Sequence, residues 1–168
     1  MRILNLHGLY GSPNNSNYEV ISDFYKDRDD VSIISPKIHF TRNPIDILNQ
    51  LSQPHDIIIG NSFGGFFAYI LGEKYQSKTI LTNPCIPAHL YISKLVPNYK
   101  YTEELHQLWD KYKNTNRNCH VLLGNSDNVL DTSITLSNLR GDVDITMISG
   151  GHKLTGPEYE TWIKEQLL

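Results

Sequence analysis

The sequence predicts an α/β fold built on a mostly parallel sheet. Three observations lead there. Short runs rich in branched apolar residues recur along the chain, segments with helical patterning separate them, and one run, Ile57-Ile58-Ile59, is apolar without alternation. Strands that alternate with helices favour parallel pairing with helices on both faces. An unbroken apolar strand suits the middle of such a sheet, where both faces are covered.

Each element has a local reason. Arg2 to Leu6 reads as the first strand, and Asn15 to Lys26 carries the mixed pattern of a surface helix. Val31 to Ile34 is a second short strand. Pro44 to Leu51 is a helix, with Pro44 in its first turn and Asn43 as cap. Asp56 to Ile59 is the central strand and Phe63 to Lys74 the helix after it. Thr79 to Leu81 is a strand stopped by Asn83-Pro84. His120 to Leu123 and Asp144 to Ile148 complete a set of about six strands, and Pro157 to Leu167 closes the chain as a helix. Between Pro84 and Asn118 the pattern is least regular. This block holds Pro84, Pro87 and Pro97 and a helix expected at Thr102 to Lys113, so residues 84–118 read as a small cap on a single domain spanning 1–168.

Bulk composition narrows the function classes. The chain has 168 residues, enough for one domain with its own core. Its net charge of -3, from 15 basic and 18 acidic residues, offers no electrostatic case for nucleic acid or an anionic membrane. No apolar run approaches a membrane span. The N-terminal apolar segment is interrupted by His7 and too short for a secretory leader, so the expected compartment is the cytoplasm. Cys85 and Cys119 do not form a C-x-x-C pair and read as buried free thiols. No H-E-x-x-H or G-x-x-x-x-G-K-[ST] pattern occurs, and no metal or organic cofactor is expected. The oligomeric state is left open.

The chemistry concentrates at Gly60-Asn61-Ser62-Phe63-Gly64, a G-x-S-x-G placed between an apolar strand and a helix. In a nucleophile elbow the serine sits at the apex of a strained strand-to-helix turn. The flanking glycines let strand and helix come close. Taken blandly, the same residues make a glycine-rich turn without chemistry. A serine needs a base to become a nucleophile. Of seven histidines, four follow Ser62: His89, His106, His120 and His152. Only His152 lies in a loop just after the last strand, in Gly150-Gly151-His152, where the base of such a site belongs. Asp127, after the strand ending Leu122-Leu123, is the favoured acid. Asp131 competes with it but also suits the start of a helix. The Phe63 amide and the Leu9 amide, with Tyr10 second to Leu9, are the expected oxyanion donors. His7 reads as a loop-shaping residue. Ile86 and Tyr91, together with Tyr10, are candidates to line the substrate pocket, core packing being the plainer role.

Five segments in order, LHGLYGSP, IIIGNSFGGFFAYIL, LTNPCIPAHL, LLGNSDNVLD and ISGGH, carry a resemblance. The chain resembles the YqiA-like esterases of the α/β-hydrolase superfamily over most of its length. The resemblance implies a compact α/β-hydrolase fold without the two leading strands of larger members. It also implies a Ser62-Asp127-His152 triad and a small-molecule ester with a short acyl group as substrate. The chain departs from that pattern at Asn61, where a small residue is common, and after His152, where Lys153-Leu154 stand in place of an aromatic. A second function class fits the same fold: an interaction module that keeps triad geometry but binds a protein partner.

Overall fold

The computed structural model describes residues 1–113, 118–139 and 143–168. Six strands form one parallel sheet: β1 (Arg2–Leu6), β2 (Ser32–Ile34), β3 (Ile57–Asn61), β4 (Lys78–Thr82), β5 (Cys119–Gly124) and β6 (Asp144–Ile148). Their order is β2-β1-β3-β4-β5-β6. The chain steps outward from β1 to β2, then returns to place β3 on the other side of β1. The crevice at the carboxyl ends of β1 and β3 is therefore a topological switch point, where ligands of open α/β sheets bind.

The helices described are α1 (Ser16–Phe24), α2 (Pro44–Leu51), α3 (Ser62–Tyr75), α4 (Ala88–Leu95), α5 (Thr102–Tyr112), α6 (Thr132–Asn138) and α7 (Pro157–Leu167). Side chains explain the starts of several. Asn15 caps α1 by accepting from the Tyr18 amide, and Asn43 caps α2 by accepting from Ile45. Asp131 caps α6 by accepting from Ser133. Two of these helices were not assigned from sequence. α4 starts directly after Pro87, inside the proline-rich block, and the prolines masked a helix that they only bracket. α6 is too short for its apolar spacing to stand out.

Alternation along the strands builds two cores. Ile57 and Ile59 face α1 and α7, with Ile3, Ile80 and Leu122 beside them. Ile58 faces the other way, with Leu4, Leu6, Leu81, Val121 and Leu123, against α2, α3 and α5. The central strand is thus apolar on both faces because both faces are covered. α3 is buried continuously from Ser62 to Gly72, which accounts for its lack of a polar stripe.

Candidate active site

β3 hands over to α3 at Ser62, whose backbone has φ +50°. A left-handed conformation costs a residue with a side chain roughly 1–2 kcal/mol. Packing around the turn imposes it. A Cβ on Gly60 would lie 2.6 Å from the Gly64 carbonyl oxygen, and one on Gly64 would overlap the carbonyl oxygens of His7 and Leu6. The Ser62 carbonyl accepts the Cys85 amide at 2.8 Å, which anchors the turn to the segment after β4. The Phe63 amide belongs to the first turn of α3, where a helix supplies no acceptor.

The structure brings Ser62, His152 and Asp127 together. His152 Nε2 lies 2.9 Å from Ser62 Oγ, and its Nδ1 lies 2.8 Å from Asp127 Oδ2. The Asp127 side chain is 2 % exposed and the His152 side chain 22 %. Burial alone would push the Asp127 carboxyl up. Hydrogen bonds from His152 and from the Leu130 and Val129 amides outweigh it and hold the group below the usual carboxylate range. An ionised carboxylate only accepts, so the proton of neutral His152 sits on Nδ1. Its Nε2 lone pair then faces the serine hydroxyl, the arrangement that lets an imidazole act as a base. Asp131 has a separate task. Its Oδ1 accepts from the Ser133 amide and hydroxyl at the start of α6.

Asn83, at the end of β4, was read from sequence only as a strand stop. Its Nδ2 donates to the carbonyls of Gly151 and His152, at 2.9 and 2.8 Å, and its Oδ1 accepts the Gly124 amide at 2.8 Å. One side chain thus ties the histidine loop to the end of β5, three residues short of Asp127. Ser126 adds to the tie, its amide and hydroxyl both donating to the Gly150 carbonyl at 2.9 Å. The available signal was the Asn-Pro pair: Asn83 has φ +40°, a conformation asparagine tolerates better than most residues.

The loop after β1 supplies the opposite wall. Leu9 lines the cavity beside Ser62, and no acceptor among the described residues takes its amide. Tyr10 is 82 % exposed, its hydroxyl 3.4 Å from the Leu95 carbonyl. His7 bridges two loops: Nε2 accepts the Ile38 amide at 2.9 Å, so Nδ1 is the protonated nitrogen and donates to the Gly8 carbonyl at 2.8 Å. Ile86 and Tyr91 are core residues and do not line this cavity; the Tyr91 hydroxyl donates to the Asp131 carbonyl. The cavity holds about 360 Å³. Cys85 and Cys119 are both buried, and burial pushes both thiols up, which leaves them unreactive. Among the described residues no group of His, Cys, Asp and Glu is arranged to hold a metal, and no helix is long and apolar enough to cross a membrane.

Sheet order and crossovers together define an α/β-hydrolase fold. Solved structures agree: a putative hydrolase from Agrobacterium vitis S4 superposes with a TM-score of 0.69 at 14% identity, covering 99% of this chain and 86% of that one. Est1E from Butyrivibrio proteoclasticus gives 0.67 at 12% identity, with the same coverage. Within that class the chain belongs to the uncharacterised protein family UPF0227, whose sequence model matches residues 2–165. A UPF0227 protein of Vibrio atlanticus is 27% identical over 147 residues, 82% of each chain.

Proposed function

We propose that the protein is a serine hydrolase of carboxylic esters, of the YqiA-like kind, acting through an acyl-enzyme. One observation carries this reading: a hydrogen-bonded line from Asp127 through His152 ends on the hydroxyl of a serine held at φ +50°. Ser62 Oγ attacks the acyl carbon as His152 Nε2 takes its proton. Asp127 stabilises the imidazolium and keeps the ring oriented. The Phe63 and Leu9 amides receive the developing oxyanion. His152 then protonates the departing alcohol, and water, deprotonated by the same nitrogen, releases the acid. The chain's own residues supply every proton transfer in this sequence. A short acyl group suits it, because Ile86 and Tyr91, two of the residues expected to wall the pocket, are committed to the core.

The test is hydrolysis of p-nitrophenyl esters from acetate to octanoate, with wild type beside Ser62→Ala. A fluorophosphonate label is read in parallel by intact mass. Turnover that falls with chain length, and a single adduct, both lost in Ser62→Ala, are expected. A folded protein that gives neither turnover nor adduct would overturn the reading and favour the interaction module.

A further inference from the structure

The cavity that opens onto Ser62 draws none of its lining from residues 84–113. It lies over α1 and α7, and most of the residues that line it are polar, although apolar atoms make up more of its surface. Asn14, Asn17, Asn61 and Thr82 contribute to it, against Leu9 and Leu154 as the aliphatic members. A second cavity of about 340 Å³ shares Ser16, Glu19 and Tyr159 with the first, so the polar lining continues between the two helices. An alkyl chain seated against the amides and hydroxyls would displace water from them and return no hydrogen bond, a costly exchange.

One donor in that wall has its direction set by the backbone. The Tyr18 amide can only donate, so the Asn15 atom it meets at 2.9 Å is Oδ1. Asn15 therefore presents Nδ2 to Asn61, and the Asn61 atom facing it at 3.1 Å must be the acceptor, Oδ1. Asn61 Nδ2 is thereby turned the other way, toward Gly8. A Cβ built on Gly8 would lie 3.3 Å from this nitrogen and 3.0 Å from Ser62 Cβ, so all three groups close on one point. No acceptor among the described residues takes the hydrogens of Asn61 Nδ2. Asn17, by contrast, is satisfied within the protein: it donates to Thr82 Oγ1 at 3.3 Å and accepts from the Tyr159 hydroxyl. Glu19 and Lys153 are both exposed at the cavity, with opposite charges, and so select neither sign.

We propose that this cavity is a subsite for a neutral substrate group bearing an acceptor oxygen, an amide carbonyl or a hydroxyl, and that Asn61 Nδ2 is the donor that recognises it. The assignment of that group to an ester substrate rests on the hydrolase reading; the binding preference does not. The test uses two near-isosteric amides, N-acetylglycinamide and pentanamide, which differ by an inner amide in place of two methylenes. Each is titrated into ¹⁵N-labelled Ser62→Ala protein while the Asn61 side-chain amide pair is followed by NMR.

N-acetylglycinamide is expected to shift that pair and bind about fivefold tighter, the worth of one net hydrogen bond. Asn61→Asp keeps the bond from Asn15 but replaces the donor with a carboxylate, and should abolish the preference; Asn61→Ser, smaller and uncharged, should do the same. Equal or tighter binding of pentanamide, no binding of N-acetylglycinamide, or a preference that survives both substitutions would overturn the proposal. Wild-type hydrolysis of the corresponding methyl esters separates the two readings. Amide preference without cleavage sinks the hydrolase and keeps the subsite. Cleavage without preference sinks the subsite alone.

Discussion

At the scale of single residues, two carboxylates four positions apart have opposite fates. Asp127 is buried and spends one oxygen on two backbone amides and the other on His152. Asp131 caps a short helix at the surface. Asp127→Asn would present an amide to Nδ1 and favour the wrong tautomer, so kcat on the best ester is expected to fall by about 10⁴-fold. Asp131→Ala should leave kcat within about twofold and lower the urea midpoint, as the loss of a helix cap does. Comparable kinetic losses in both variants would contradict these roles.

His7 makes a second prediction at this scale, read in stability. Burial pushes its imidazole below the ordinary 6.5, with Lys37 and His39 adding to the effect against the Gly8 hydrogen bond. Its Nε2 must stay unprotonated to accept from Ile38. A lowered histidine favours the fold while neutral. Its contribution is therefore full above the unfolded value, about pH 6.5, and is lost as pH falls through the lowered folded value. Urea unfolding across that window should show wild type losing its advantage over His7→Gln on acidification. A constant difference would show that His7 does not titrate with folding.

Between elements, the candidate site depends on strand ends being held in register. β4, β5 and the loop after β6 meet at Asn83, which uses all of its amide group on them. Asn83→Asp can still accept from Gly124 but cannot donate to the carbonyls of Gly151 and His152. It should lower kcat by roughly 10- to 100-fold through a displaced His152, with KM little changed. Asn83→Ala also strands the buried Gly124 amide and should cost about 1–3 kcal/mol more in stability. Equal kcat in wild type and Asn83→Asp would remove Asn83 as a positioning residue.

Over the whole molecule, one sheet serves two cores, and each core contains one of the two tryptophans. Trp109 on α5 packs with α2 and α3; Trp162 on α7 packs with α1. We propose that the chain unfolds as one domain, because strands such as β3 feed alternate residues into both clusters. Urea curves of Trp109→Phe and Trp162→Phe, each reporting the remaining indole, should then share one midpoint relative to their own circular dichroism. An earlier fluorescence transition at Trp109 would mean that residues 84–118 form a cap that melts by itself.

Much of this was legible along the chain because its causes are local. The β3 run, the Gly60 and Gly64 spacing around Ser62, the Asn43 cap and the α7 start at Pro157 each follow from neighbours a few positions apart. α4 and α6 were less legible, since eight and seven residues give too little periodicity to outweigh nearby prolines or polar residues. By itself the sequence determined the alternating strand-helix order, the strand-to-helix turn at Ser62, and which histidine and aspartate follow it at strand ends. Tertiary structure alone decided that Asn83 joins the ends of β4 and β5 to the histidine loop, that Ile86 and Tyr91 belong to the core, and that polar residues make up most of the cavity lining. Those features depend on which groups meet across 40 to 142 positions of chain, and on how a single backbone amide at Tyr18 orients Asn15 and, through it, Asn61. Hydrogen-bond direction passes between side chains in space and leaves no periodic trace in the order of residues.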